Sequence, residues 1–123
     1  MKLFLMIGSI CAFLFVALGA FGAHALKPRL EAAGHLETWN TAVQYHMIHS
    51  VAIVSVAILI QQMGASGSLY GAGWAFFIGI LIFSGSLYVL SLTGIGVLGA
   101  ITPIGGLAFL IGWVLLFVAA LSL

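Results

Sequence analysis

No Asp, Glu, Lys or Arg occurs from Thr38 to Leu123, so more than two thirds of this 123-residue chain carries no formal charge outside histidine. The five charged residues are Lys2, Lys27, Arg29, Glu31 and Glu37. Charged residues make up 4% of the chain and apolar residues 64%, whereas about a quarter of an ordinary soluble domain is charged. The sequence therefore predicts an integral membrane protein, and it excludes nucleic-acid binding, which needs a basic surface.

The residues that several kinds of chemistry require are missing. There is no Asp, and both Glu residues lie in the one hydrophilic stretch, so no carboxylate can act as an ion relay at mid-membrane. The single cysteine, Cys11, excludes an intrachain disulfide and a multi-cysteine zinc site, and we interpret it as a packing residue. The phosphate-loop, HExxH and GxSxG motifs are also absent. We therefore expect no catalysis, no cofactor and no metal site.

Four apolar segments are long enough to cross a bilayer, which takes about 20 helical residues. They run approximately over 3–25, 41–62, 69–92 and 103–123. The connections between them are short, so residues 1–123 are expected to form a single transmembrane domain. The predicted fold class is an all-α integral membrane protein, a four-transmembrane-helix bundle.

The first loop is the one polar connection, and its pattern predicts a short interfacial helix. Pro28 suits the first helical turn. Apolar residues then recur every third position, at Leu30, Ala33, Leu36 and Trp39. Trp39 is expected to anchor this helix at the membrane surface. The alternative is an ordinary hydrated connector.

The first apolar segment has a second interpretation as a signal peptide. Lys2, the apolar run and the small residues around His24 fit a secretory signal with its cleavage site. We interpret the segment as a retained helix because its apolar run is longer than a usual signal core.

Four spans place the N-terminus, the second loop and the C-terminus on one face, and the first and third loops on the other. Lys2 lies on one face, and Lys27 and Arg29 lie on the other. This difference in positive charge is too small to fix the orientation.

Small residues at spacings of three and four predict where helices meet, because close backbone approach drives helix association in lipid. The third span carries Gly71, Ala75 and Gly79 in this register, and the fourth carries Gly105, Ala108 and Gly112. Any stripe of small residues left over would serve self-association or docking to another membrane protein.

Polar residues collect on the face of the first and third loops. An unsatisfied polar group in hydrocarbon is costly, so these side chains should turn toward one another or toward a water-filled vestibule. The candidate ligand-binding vestibule consists of His24, Gln44, Tyr45, His46, His49, Ser84, Ser86, Tyr88 and Thr102. His46 and His49 share a helix face and suit structural hydrogen bonding, proton or solute contact, or, less well, a metal.

Two further residues mark the fourth span. Thr102 is expected to cap it, with Pro103 as its first helical residue. Trp113 should lie near mid-membrane, either filling the bundle or walling a cavity in which its indole N–H finds an acceptor.

Four stretches together resemble the bacterial YwdK/YgdD family: ALGAFGAHAL (17–26), WNTAVQYHMIH (39–49), FSGSLY (83–88), and ITPIGG (101–106) with the following GW (112–113). This is a family of small four-helix membrane proteins classed as a domain of unknown function. The resemblance implies the cytoplasmic membrane with both termini inside. It brings no established activity, ligand or catalytic residue.

Two functions follow as expectations. The first is a non-enzymatic, multi-pass inner-membrane protein that acts by self-association or as an accessory subunit, with membrane lipids, a second copy or another membrane protein as partners. The second is a small-solute or lipid-handling protein that uses the polar vestibule.

Overall fold

The computed structural model describes residues 2–123, which form helices joined by short turns and contain no strand. Helix α1 spans Lys2–Ala23, α2 spans Lys27–Ala33 and α3 spans Leu36–Met63. Helix α4 (Gly67–Gly79), a π-helical turn (Ile80–Ser84) and α5 (Gly85–Thr93) form one continuous rod, followed by a 3₁₀ turn (Gly96–Ala100) and α6 (Thr102–Ala120). Four helical stretches are long and apolar enough to cross a membrane, so the predicted all-α, four-span fold class is confirmed.

The bounds of the second span differ from the prediction. The span begins at Leu36 rather than near residue 41. The polar residues between Glu37 and Thr41 hide this start from a hydropathy argument, although they are compatible with a first helical turn outside the hydrocarbon. Consequently Trp39 belongs to the second span and not to the first loop. The fourth span also ends earlier than predicted, at Ala120.

The first loop contains the short helix that its sequence predicts. Pro28 lies in the first turn of α2. Gly34 ends the helix with φ 74°, a left-handed conformation that glycine adopts without strain. The Gly34 N–H donates to the Glu31 carbonyl and the His35 N–H to the Leu30 carbonyl, which together form a Schellman motif. Helix α3 follows immediately.

Helices α1 and α3 form one close pair, and α4 and α6 form another. Glycines make the close approach possible. The space beside Gly79 is filled by Phe109, that beside Gly112 by Phe76, and that beside Gly71 by Leu115. Ala75 and Ala108 lie half-buried in the same two helices. The two pairs meet where α3 packs against the rod of α4 and α5.

Helix α3 lies at the centre of the bundle. Its buried residues follow a repeat of alternating three- and four-residue steps, the pattern of a helix that packs along its whole length. They include Trp39, Ala42, His46, His49, Ile53, Val56 and Ile60. The same face therefore carries both apolar and polar side chains into the core.

A π-helical turn interrupts the third span, where the sequence predicts an unbroken helix. Such turns hold one extra residue and rotate the faces on either side of them. The Gly85 N–H bonds back to the Ile80 carbonyl across this turn. Helix α6 contacts the turn at Gly105, where an added Cβ would overlap the backbone of Phe83.

We predict that Gly105→Ala destabilises the protein by roughly 1–3 kcal/mol, the usual cost of overpacking, since backbone atoms cannot move aside as a side chain can. The measurement is the free energy of unfolding in mixed micelles titrated with a denaturing detergent.

Gly106→Ala is the matched control. A Cβ there would lie 3.8 Å from the Phe83 ring, an ordinary contact, and the gain in helix propensity is the same at both positions. Equal stabilities of the two variants would contradict the close approach of Gly105 to the Phe83 backbone.

Candidate functional site

The predicted vestibule residues fall into three hydrogen-bonded groups. One is centred on His49, one on His46, and one on the hydroxyls of Ser84, Ser86 and Thr102. His24 and Gln44 are exposed and belong to none of these groups.

The His49 imidazole uses both of its nitrogens. Its Nδ1–H donates to the Tyr45 carbonyl at 2.7 Å, and its Nε2 accepts from the Trp113 indole N–H at 3.0 Å. The ring also stacks on Phe109, with 3.6 Å between centroids. These bonds fix the neutral Nδ1–H tautomer. His49 thus joins α3 to α6, and His49 Nε2 is the acceptor for the indole N–H of Trp113.

His46 turns toward α5 instead. Its Nδ1 lies 2.9 Å from the Tyr88 hydroxyl, and only 3% of the residue is exposed. The Tyr88 ring packs edge-on against Trp39, with 4.8 Å between centroids. Although His46 and His49 are three residues apart, they contact different helices and share no partner.

The third group of buried hydroxyls ties the π-helical turn and α5 to neighbouring helices. Ser84 Oγ donates to the Ala42 carbonyl at 2.8 Å, across to α3. The Ser86 and Thr102 hydroxyls are 2.6 Å apart, which joins α5 to α6. All three side chains are buried and bond to protein atoms. This arrangement is the first of the two expected for them, in which polar groups face one another.

The capping role expected of Thr102 is wrong. Thr102 is itself the first residue of α6, and Ile101 occupies the cap position without a side-chain bond. Thr102 Oγ1 lies 3.3 Å from the Leu98 carbonyl, on the preceding 3₁₀ turn. The hydroxyl is engaged by Ser86 and Leu98, so it is not available to the N–H groups of α6.

Trp39 is not a surface anchor, contrary to the expectation. It is 1% exposed and fits against Gly22 of α1, where no side chain intervenes. Its indole N–H donates to the Leu18 carbonyl at 3.0 Å. The signal for this position was present in the sequence: Trp39 lies seven residues before His46 and therefore on the same helix face.

Two residues of the first loop cap α5, a role that the sequence reasoning did not assign. Arg29 Nη2 donates to the Leu92 carbonyl at 3.1 Å, and His35 Nδ1–H to the Ser91 carbonyl at 3.2 Å. Both carbonyls lie in the last turn of α5, where the helix leaves them without partners. The polar loop thus closes this end of the bundle.

Two grooves open sideways between the helix pairs. The α1 groove lies between α1 and the rod of α4 and α5, and His46 and Tyr88 line it together with apolar residues. The α6 groove lies between α3 and α6 and is lined by Met47, Val51, Ser55 and Trp113, among others. Among residues 2–123 no three potential metal ligands gather at one place.

We predict that Trp113→Phe destabilises the protein by about 1 kcal/mol, between the average for membrane hydrogen bonds and the cost of an unsatisfied buried group. Phe keeps an aromatic ring but leaves His49 Nε2 without its donor. Unfolding in mixed micelles measures the effect.

Trp74→Phe is the control. Trp74 is 41% exposed, against 42% for Trp113, and its indole N–H makes no hydrogen bond within the described chain. A loss of the same size in both variants would show that ring size, and not the bond to His49, decides the result.

Comparison with known proteins identifies the family. The profile of a family described as "Protein of unknown function (DUF423)" matches residues 18–106. The UPF0382 membrane protein YwdK of Bacillus subtilis is 50% identical over 122 residues, covering 99% of this chain and 98% of the relative. UPF0382 membrane proteins of Staphylococcus haemolyticus and Staphylococcus saprophyticus are 43% and 41% identical, over 97% and 100% of this chain and 95% and 100% of theirs. No solved structure matches. The resemblance drawn from the sequence is confirmed, and the chain belongs to the DUF423, or UPF0382, family of membrane proteins.

Proposed function

We propose that this protein is a non-enzymatic component of the bacterial cytoplasmic membrane that acts by binding other molecules within the plane of the bilayer. Its main mode is association, either with further copies of itself or with a larger membrane protein as an accessory subunit. Both termini face the cytoplasm in this proposal, as the family resemblance implies. Lys27 and Arg29 then lie on the outer face.

The association proposal rests on how much of each membrane span is buried by the other helices of the bundle. Only 17% of the most apolar window of the first span and 22% of that of the fourth are buried within the bundle, against 44% for the second. Helix α1 packs along α3 on one side, and its other side is open. That open side carries small residues, Ser9 and Ala20, between larger ones. The larger ones include Phe13 and Val16, and the outer face of α6 also carries large side chains, among them Leu110 and Val114. The exposed Ser9 and Ala20 are therefore what favours α1 over α6 as the association face.

The hydrogen bonds favour a non-catalytic protein. Ser50 and Ser84 each donate to a backbone carbonyl, and Ser86 pairs with the Thr102 hydroxyl. Both nitrogens of His49 are in use. A nucleophile needs an adjacent base to take up its proton, and these hydroxyls are held in structural bonds instead.

Mass measurement tests association. The full chain, extracted from its own membrane in lipid nanoparticles without detergent, should give a homo-oligomer or a fixed-stoichiometry complex with one other membrane protein by native mass spectrometry. Monomers alone would contradict the proposal.

Cysteine crosslinking tests whether the open side of α1 is the association surface. In a Cys11→Ala background, Ser9→Cys should crosslink in native membranes and Val114→Cys should not. Both positions are exposed, so a difference in crosslinking between them reports which helix, α1 or α6, faces the partner. Crosslinking through Val114→Cys alone would move the interface to α6.

A second candidate function is the uptake of a small membrane-soluble molecule by the α1 groove. One observation favours it: His46 lines this groove, and its Nε2 is a buried polar atom without a hydrogen-bond partner in the described chain.

A further inference from the structure

The α1 groove has the size and lining of a small-molecule site. Its open volume is about 420 Å³, within the range of roughly 300–1,000 Å³ of ligand pockets. The walls are apolar and include Ile10, Leu14, Phe77 and Leu81. The polar residues His46 and Tyr88 lie at its inner side. A molecule that enters from the lipid would be held by apolar contact and oriented by one polar group.

Nε2 of His46 is the buried side-chain polar atom that stays unsatisfied within residues 2–123. The nearest acceptor is the Cys11 backbone carbonyl on α1. It approaches the ring but falls outside hydrogen-bond geometry with Nε2, so a ligand carbonyl would compete only with this weak contact. His49, three residues later in the same helix, has both nitrogens bonded. Leaving such an atom unpaired in an apolar interior is costly, and native proteins rarely do so without a functional reason.

The partner of Nδ1 determines what Nε2 can bind. The described bonds give the Tyr88 hydroxyl one partner, Nδ1 of His46. If Tyr88 donates its proton to Nδ1, the ring carries its own proton on Nε2, and only that N–H lacks a partner. In the other tautomer Nδ1–H donates to Tyr88, and both the tyrosine proton and the Nε2 lone pair lack partners. The first arrangement leaves fewer groups unpaired, so Nε2 is a donor.

The depth of His46 in the bilayer restricts which molecules can supply a hydrogen-bond acceptor to Nε2–H. His46 follows Leu36 by ten residues, about 15 Å along a helix of 28 residues that is about 42 Å long. The polar residues up to Thr41 lie outside the hydrocarbon, so His46 lies about five residues, or roughly 7 Å, inside it. Lipid ester carbonyls lie at the edge of this hydrocarbon core. An acceptor at this depth must belong to a molecule that can enter the bilayer interior.

We propose that the α1 groove binds a neutral apolar molecule with a ring carbonyl, of the quinone class, and that its carbonyl oxygen accepts a hydrogen bond from Nε2–H of His46. The proposal rests on the second candidate function and concerns binding without electron transfer. Nε2 is not exposed at the groove surface, so the ligand must displace a lining side chain. The groove walls include partly exposed side chains, such as Leu14 at 43%, which are free to change rotamer.

The test is a pair of ligands with the same carbon skeleton, measured by calorimetry on the full chain in ether-lipid nanodiscs, which contain no ester carbonyl. 2,3-Dimethyl-1,4-naphthoquinone should bind saturably, and 2,3-dimethylnaphthalene, which has no carbonyl, at least tenfold more weakly. Equal affinities would overturn the role of the carbonyl.

Two variants of His46 separate the two ring nitrogens. The Asn amide reaches the place of Nδ1 and the Gln amide that of Nε2, so His46→Asn keeps a partner for Tyr88 and loses the donor to the ligand. We expect His46→Asn to weaken quinone binding at least tenfold and His46→Gln to retain most of it. The proposal is wrong if His46→Asn binds as the wild type does.

Gly85→Leu tests the groove without touching His46. A Cβ at Gly85 meets nothing within 4 Å, so the new side chain should fold into the groove and fill it. Loss of quinone binding with unchanged thermal stability is expected, and unchanged binding would place the ligand elsewhere.

The outcomes also separate the carbonyl inference from the candidate function. If both ligands bind equally and Gly85→Leu abolishes both, the groove takes up apolar molecules but the carbonyl inference falls. If neither ligand binds, both the carbonyl inference and the second candidate function are wrong. A repeat in ester-lipid nanodiscs should give similar quinone affinity. Tenfold weaker binding than in ether lipid would show that lipid ester carbonyls reach Nε2–H, and it would overturn the quinone class as the occupant of this site in an ester-lipid membrane.

Discussion

Hydrocarbon offers no hydrogen bonds, so a polar group that enters it is costly unless it finds a partner. The structure meets this constraint mainly along one face of α3. Ala42 accepts from Ser84, His46 pairs with Tyr88, and His49 joins Trp113. These three bonds attach α3 to the π-helical turn, α5 and α6, and they occupy successive turns of one helix. The polar side chains therefore act as specific links in a bundle whose apolar surfaces resemble lipid.

Glycine supplies the second half of the architecture. Notches at Gly79 and Gly112 let aromatic side chains of one helix fill the space beside the other, which draws α4 and α6 together. Gly22 accommodates Trp39 in the pair of α1 and α3. The pair of α1 and α3 meets the pair of α4 and α6 along one contact line, the seam, which leaves a groove on either side. The grooves are thus a consequence of where the glycines lie, and His46 faces one of them because the polar face of α3 runs along the seam.

The four spans and the fold class could be predicted because they depend on length and hydropathy, which are local properties of the sequence. The pairing partner of each helix could not. His46 and His49 share a face in a helical projection, yet they contact different helices, because that projection does not show where neighbouring helices cross. Trp39 was assigned to the wrong environment because α3 begins five residues before its apolar core. The π-helical turn has no signal in composition, since Ile80 to Ser84 read as ordinary helix.

The central claim is that the two histidines have opposite roles, one closed by structural bonds and one with an open nitrogen. Solid-state ¹⁵N NMR of histidine-labelled protein in bilayers tests this most directly, with signals assigned by replacing one histidine at a time. The account predicts opposite neutral tautomers, with the proton on Nδ1 in His49 and on Nε2 in His46. The same tautomer at both positions, or a ring with both nitrogens protonated at neutral pH, would contradict it.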